Sequence, residues 1–183
     1  MDNSTIALVS TIGLVISLVA LAGVVFLFIA HQKTRTLKSR FGSEYERAVE
    51  KEGSVRRAET VLDERKKRVA KYQIRSLTRE ERDYYTNEWR SVQGRFVDDP
   101  KATVSRADGL VRQALGARGY PMNDFEAQAA DLSVDHPGFL GEYRIAHEIA
   151  MRSERGQGTT EDLRLAMQYY RNIFEEIADT RAA

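Results

Sequence analysis

The sequence predicts an all-α protein, in which one N-terminal transmembrane helix precedes a helical domain of about six or seven helices. Three observations favour this fold class. The stretch from Ile6 to Ala30 contains no charged residue and no proline. Beyond it, apolar residues recur at the alternating spacing of three and four residues that is typical of amphipathic helices. The chain has only three prolines and no alternating run rich in Val and Ile, so a sheet is not expected.

Residues 6–30 are long enough to cross a bilayer as a helix. Twenty-five residues that each rise about 1.5 Å reach ~37 Å, which exceeds a hydrocarbon core of about 30 Å. The five residues before them include no Lys or Arg, whereas the basic residues Lys33, Arg35, Lys38 and Arg40 follow them. This bias predicts an inner-membrane protein with its N-terminus outside and its C-terminal domain in the cytoplasm. If the segment were instead cleaved as a signal peptide, the domain would be exported or secreted.

The segments along the chain follow from this interpretation. Residues 1–5 are a short extracytoplasmic terminus, 6–30 the span, 31–40 a basic juxtamembrane segment, 41–179 an all-helical soluble domain and 180–183 a frayed tail. Within the span, small residues recur at helical spacing and predict a face for pairing with a second copy: Ser10, Gly13, Ser17 and Ala20.

Charge and cysteine content exclude several classes of function. From Phe41 onward the chain holds 24 basic and 26 acidic residues, a net charge of −2, so nucleic acid is not an expected partner. The absence of cysteine excludes disulfides, thiolate catalysis and Cys-ligated zinc.

The first helices of the domain are predicted from one apolar face and one charged face. Phe41, Tyr45, Ala48 and Val49 share a face, and Gly53 with Ser54 interrupts the helix. A second helix then runs to about Tyr72, and its other face is rich in Arg and Lys. That face either lies against anionic lipid or is solvated and stabilised by pairs such as Asp63–Lys67 and Glu64–Arg68.

Capping signals and apolar stripes predict the later helices. Thr78 and Glu81 form a capping box, Asp99 and Pro100 restart a helix, and Gly119 ends it. The apolar stripes of these helices and of the last one are Tyr85, Trp89, Val92 and Phe96; Val104, Ala107, Val111 and Ala114; and Leu163, Ala166, Met167, Tyr170, Phe174 and Ile177.

Several short motifs are similar to those of a bacterial family of uncharacterised proteins with one N-terminal hydrophobic segment. They include residues 41–45 (FGSEY), 96–100 (FVDDP), 117–121 (ARGYP) and 131–137 (DLSVDHP). The resemblance covers nearly the whole chain. It implies the membrane topology and an all-helical domain, and it brings no activity and no catalytic residue.

A candidate metal or acid–base site is a set of acidic residues with one imidazole: Asp98, Asp99, Asp124, Glu126, Asp131, Asp135 and His136. Asp99 and Asp135 also stand where helices start, so capping is an alternative explanation for them. His147 is either a site residue or a core histidine that donates to a neighbouring backbone group or carboxylate. No catalytic residue is assigned, and no cofactor is predicted.

Two classes of function remain open from the sequence. The preferred one is a non-enzymatic interaction or scaffold module, anchored at the cytoplasmic face of the membrane, that binds a protein partner through its helical surface. The alternative is a membrane-bound enzyme or metal-dependent binder that uses the region from Asp131 to His136.

Overall fold

The protein is all-helical, as the sequence predicts. The computed structural model describes residues 3–122 and 124–178, and no strand occurs among them. The helices in these residues are α1 (Asn3–Phe41), α2 (Ser43–Glu52), α3 (Val55–Val69), α4 (Arg79–Gly94), α5 (Pro100–Ala117), α6 (Phe125–Asp135), α7 (Pro137–Glu154) and α8 (Thr160–Ile177). The predicted tail 180–183 and the first two residues lie outside the described residues.

The chain divides into two compact units, Met1–Arg40 and Phe41–Ala183. In the first unit, side chains are described from residue 17 onward, except at 19, 26 and 30. Among described residues, no helix has the long apolar window that a membrane span requires. The span at 6–30 therefore stays a prediction. Ser10 and Gly13 of the small-residue stripe lie outside the described side chains, whereas Ser17, Ala20 and the basic residues Lys33, Arg35, Lys38 and Arg40 are exposed.

In the second unit, the main hydrophobic core is formed by α4 to α8. The predicted stripes of α5 and α8 are buried throughout, and Trp89 and Val92 of α4 are buried with them. Trp89 stacks on Phe174 with ring centroids 5.0 Å apart and planes 11° from parallel, which joins α4 to α8. These stripe predictions are confirmed with two exceptions. Tyr85 is only partly buried, and Phe96, also partly buried, lies beyond the end of α4 at Gly94.

The predicted caps also form. The Thr78 hydroxyl accepts from the Glu81 amide and the Glu81 carboxylate accepts from the Thr78 amide, which completes the capping box of α4. Asp99 accepts from the Ala102 amide and Pro100 occupies the first turn of α5. Gly119 follows α5 with a φ of +101°, and a Cβ there would lie 2.4 Å from the Gln73 carbonyl oxygen. A glycine is therefore required where the connection between α3 and α4 crosses the end of α5.

Replacing Arg75 by Gln should raise the pKa of Glu81. Both Arg75 Nη atoms donate to the Glu81 carboxylate at 2.7 Å, and this pair, with the Thr78 amide, lowers the pKa of Glu81 from 4.5 to about 2. Because that pKa is depressed, the stabilisation is present above about pH 4.5 and is lost as the pH falls toward 2. An NMR titration of the Glu81 carboxyl carbon should show a higher midpoint in Arg75→Gln than in Arg79→Gln. Equal midpoints in the two variants would contradict the assignment.

Helices α2 and α3 pack on each other and form the α2–α3 hairpin. Gly53 ends α2 with a φ of 66°, and the Ser54 hydroxyl caps α3 by accepting from the Arg57 amide. The buried apolar residues of the hairpin lie outside the main core cluster: Tyr45, Ala48, Ala58, Leu62 and Val69. The hairpin contacts α6 and α7, and the candidate site lies along that contact.

Candidate anion-binding cleft

An open cleft of about 430 Å³ lies between the α2–α3 hairpin and helices α6 and α7. We call it the cationic cleft, because four of its nine lining residues are Arg or Lys. Its lining residues are Glu44, Arg47, Ala48, Lys51, Arg65, Glu126, Ala127, Ala130 and Arg144. The four cations face two carboxylates, so the cleft has a surplus of two positive charges.

A buried ion pair between α2 and α7 forms the base of the cleft. Arg144 Nε donates to Glu44 Oε1 at 3.0 Å and Arg144 Nη2 donates to Oε2 at 3.3 Å. The side chain of Glu44 is 6% exposed and that of Arg144 is 12% exposed. Burial by itself would lower the pKa of Arg144, but the hydrogen bonds and charges of Glu44 and Glu126 together raise it. Arg144 is therefore a fixed cation in a preset orientation.

Glu126 reaches the same guanidinium from the rim. Its Oε2 accepts from Arg144 Nη1 at 2.7 Å, while its side chain is 64% exposed. Ion pairs with one partner exposed to this degree contribute about 0–1 kcal/mol, because water competes for both charges. Another carboxylate could therefore replace Glu126 at little cost to the fold.

Arg65 of α3 is the second buried cation of the cleft. Its Nη1 lies 3.8 Å from Glu44 Oε2 and 3.5 Å from the Ser133 hydroxyl. Burial lowers the pKa of Arg65, and the nearby charge of Glu44 opposes this. Glu44 is thus shared by two guanidinium groups, so the pair of arginines is only half neutralised by it.

The other two cations, Arg47 and Lys51, lie one turn apart on α2. Both are exposed, and neither forms a side-chain ion pair or hydrogen bond within residues 3–122 and 124–178. Residues four apart on a helix share a face, which is why both point along the same wall of the cleft. Their charges provide the two surplus positive charges of the cationic cleft.

Asp131, a predicted metal candidate, is instead the acceptor of a second interhelical cluster. Arg68 Nε donates to Asp131 Oδ1 at 2.9 Å, and Tyr72 Oη donates to Oδ2 at 2.8 Å. The hydrogen bond to Asp131 raises the pKa of Arg68, and burial together with Asp131 raises that of Tyr72. The expected pairing of Arg68 with Glu64 is therefore wrong: a buried carboxylate on α6 binds the guanidinium more closely.

The other metal candidates have separate partners. Asp99 caps α5, but the capping role expected of Asp135 is wrong, because His136 is the N-cap residue of α7. The Asp135 carboxylate accepts from the Tyr120 hydroxyl at 3.1 Å, and His136 Nδ1 lies 3.2 Å from Glu176 Oε1. Asp98 is exposed and lies in a second cleft with Asp99, Arg95 and Arg106. Within the described part of the chain, no group of three His, Asp or Glu residues could hold a metal ion.

A polar cluster crosses the main core. Tyr170 Oη donates to Asp108 Oδ1 at 2.7 Å, and His147 Nδ1 lies 3.0 Å from the same oxygen. His147 also stacks on Phe125 with centroids 3.7 Å apart. Burial and the charge of Asp108 raise the pKa of Tyr170 above its usual range, so the phenol stays protonated. His147 is thus a partly buried histidine packed beside the main core, and its ring contacts a carboxylate.

The three residues at the base of the cleft were not predicted. The sequence nevertheless marks each of them, because each is a charged residue at a position where the helical spacing predicts an apolar one. Glu44 is three residues after Phe41, Arg65 three after Leu62, and Arg144 four after Leu140. A charge at such a position needs an ion-pair or hydrogen-bond partner when its helix packs, because burying an unpaired charge is costly.

No family model matches the chain, and comparison with curated proteins and with solved structures gives no significant match. The resemblance carried by residues 96–100, 117–121 and 131–137 therefore stays a prediction.

Proposed function

We propose that this chain is a single-pass membrane-anchored protein whose helical domain, from Phe41 onward, binds another protein at the cytoplasmic face. The observation that carries the interaction role is the cationic cleft. Arg47 and Lys51 have no ion-pair partner among the described residues, although the domain as a whole has more acidic than basic residues. An open cleft with unneutralised cations attracts an anionic partner.

The anchor is supported by the apolar run at 6–30 and by the exposure of its described part. The large apolar side chains that the structure describes between Leu18 and Ile29 are between 48% and 67% exposed along one helix. Soluble proteins rarely expose contiguous apolar surface on this scale, because water disfavours it, whereas hydrocarbon would cover it. The basic residues that follow the run support the orientation with the domain in the cytoplasm.

Proximity labelling tests the interaction role. The full chain, fused at its C-terminus to a labelling enzyme, is compared with residues 1–40 fused to the same enzyme. We expect the full chain to enrich a discrete set of proteins, and Arg47→Gln with Lys51→Gln to reduce it. A matched control, Arg79→Gln with Arg155→Gln, removes the same charge from exposed positions outside the cleft. Equal labelling by the full chain and the anchor would contradict the proposal.

Protease accessibility tests the anchor and its orientation. In intact cells from which the outer barrier has been removed, the domain should resist added protease, and detergent should expose it. The mass of the native N-terminus should correspond to an uncleaved chain. Digestion of the domain without detergent, or a cleaved N-terminus, would show that the domain is exported.

A further inference from the structure

We infer that the cationic cleft binds an acidic segment of a partner protein, and that Glu126 occupies the place of one partner carboxylate until the segment arrives. This inference rests on the proposed interaction role and gives the partner its chemistry. It starts from the chemistry already present in the cleft: Arg144 binds one buried carboxylate and one exposed carboxylate.

The geometry at Arg144 leaves one donor for an incoming carboxylate. The Nε and Nη2 atoms are both used by Glu44, which leaves Nη1 as the donor that faces the rim. Glu126 Oε2 takes that donor at 2.7 Å from a largely exposed side chain. An incoming carboxylate that takes the same donor exchanges one ion pair for an equivalent one, so this step by itself changes the binding free energy little.

The gain in affinity comes from Arg47 and Lys51. Both cations line the same wall and lack an ion-pair partner in the described residues, so a second carboxylate of the segment makes a new pair with them. Released Glu126 returns to solvent, where it is already mostly exposed. The segment therefore needs at least two neighbouring acidic side chains.

The remaining lining leaves space for a peptide backbone. Ala48 on α2 and Ala127 and Ala130 on α6 are the only uncharged residues among those that line the cleft. Their short apolar side chains lie beside the cations and leave space above them for a backbone. A phosphate concentrates its two negative charges on one group, close to the buried Glu44 if it binds Arg144, whereas two carboxylates of a segment place one charge at Arg144 and the other at Arg47 and Lys51. The lining thus favours an acidic peptide over a phosphate-bearing ligand.

The test uses the full chain in uncharged detergent micelles and a fluorescein-labelled peptide with two glutamate pairs separated by alanine. Binding is measured by fluorescence anisotropy at low and high salt. We expect binding that weakens with salt, and no binding of the same peptide with glutamine in place of glutamate. Arg47→Gln with Lys51→Gln should weaken binding about tenfold, and Glu126→Gln should strengthen it about threefold because the internal competitor is lost.

The controls separate the cleft from general charge effects. Arg79→Gln with Arg155→Gln should bind as the unchanged protein does, and all variants should keep the same helix content by circular dichroism. If both double variants weaken binding equally, or if Glu126→Gln does not strengthen it, the inference is wrong. It is also wrong if short-chain phosphatidylserine or inorganic phosphate binds the cleft in preference to the peptide. A failed peptide with a successful labelling experiment would overturn this inference alone, whereas failed labelling would overturn the interaction role and, with it, the partner protein that this inference assigns.

Discussion

Replacing Glu44 by Ala should lower the free energy of unfolding by about 3 kcal/mol, because the substitution leaves two buried guanidinium groups without their shared carboxylate. Glu44 is 6% exposed, and Arg65 and Arg144 are each 12% exposed. Arg144 keeps Glu126, which places the expected loss at the lower end of the range for broken buried pairs. Urea denaturation of the full chain in uncharged micelles, followed by circular dichroism, measures the change.

Glu126→Ala provides the matched control. It removes a carboxylate from the same arginine, but from a side chain that is 64% exposed, so the loss should be about 0–1 kcal/mol. If Glu126→Ala destabilises the protein as much as Glu44→Ala does, the two carboxylates contribute equally to the free energy of unfolding. The description of Glu126 as a replaceable rim group would then be wrong.

Asp108→Ala should lower the free energy of unfolding by about 3 kcal/mol through a different mechanism. The carboxylate accepts from Tyr170 and lies 3.0 Å from His147 Nδ1, and its removal leaves the buried Tyr170 hydroxyl without this acceptor and His147 without this partner. Asp108→Asn keeps an oxygen acceptor in the same place and should cost less. The same denaturation experiment measures both variants.

Asp98→Ala and a double-mutant cycle check the mechanism. Asp98 is an exposed aspartate on the turn before α5, so its replacement should change stability by less than about 0.5 kcal/mol. Combining Asp108→Ala with Tyr170→Phe should cost less than the sum of the two single changes, because the second change removes a donor already orphaned by the first. Simple additivity would show that the hydrogen bond does not carry the effect.

Local sequence rules were sufficient for the helices of the main core. The capping box at Thr78, the Asp99–Pro100 start and the stripes of α5 and α8 depend on residues within a few positions of one another. These local signals agree with the fold, so the starts of α4 and α5 follow from the pattern alone, whereas α4 ends at Gly94, before the predicted stripe residue Phe96. The second helix of the domain ends at Val69, three residues before the expected end near Tyr72.

The cleft was beyond such rules because its contacts join distant parts of the chain. Glu44 and Arg144 are separated by 100 positions, and Arg68 and Asp131 by 63. A charged residue on an apolar stripe indicates that it needs an ion-pair or hydrogen-bond partner, but the periodicity does not show which helix supplies that partner. Local spacing predicts that Arg68 pairs with Glu64, four residues earlier, whereas in the structure its guanidinium binds the buried Asp131.

The buried apolar residues of the α2–α3 hairpin lie outside the α4–α8 core, so we expect these two parts of the domain to respond differently to salt. The α4–α8 core depends on apolar burial, which salt strengthens or leaves unchanged. The hairpin is attached to that core by ion pairs and hydrogen bonds from Glu44, Arg65, Arg68 and Tyr72, which salt screens where water reaches them. Its amides should therefore exchange hydrogen earlier than those of the core as ionic strength rises. A ligand that binds α2 and α7 at the same time would hold the hairpin on α7, so α2 and α3 would become more rigid when the cleft is occupied.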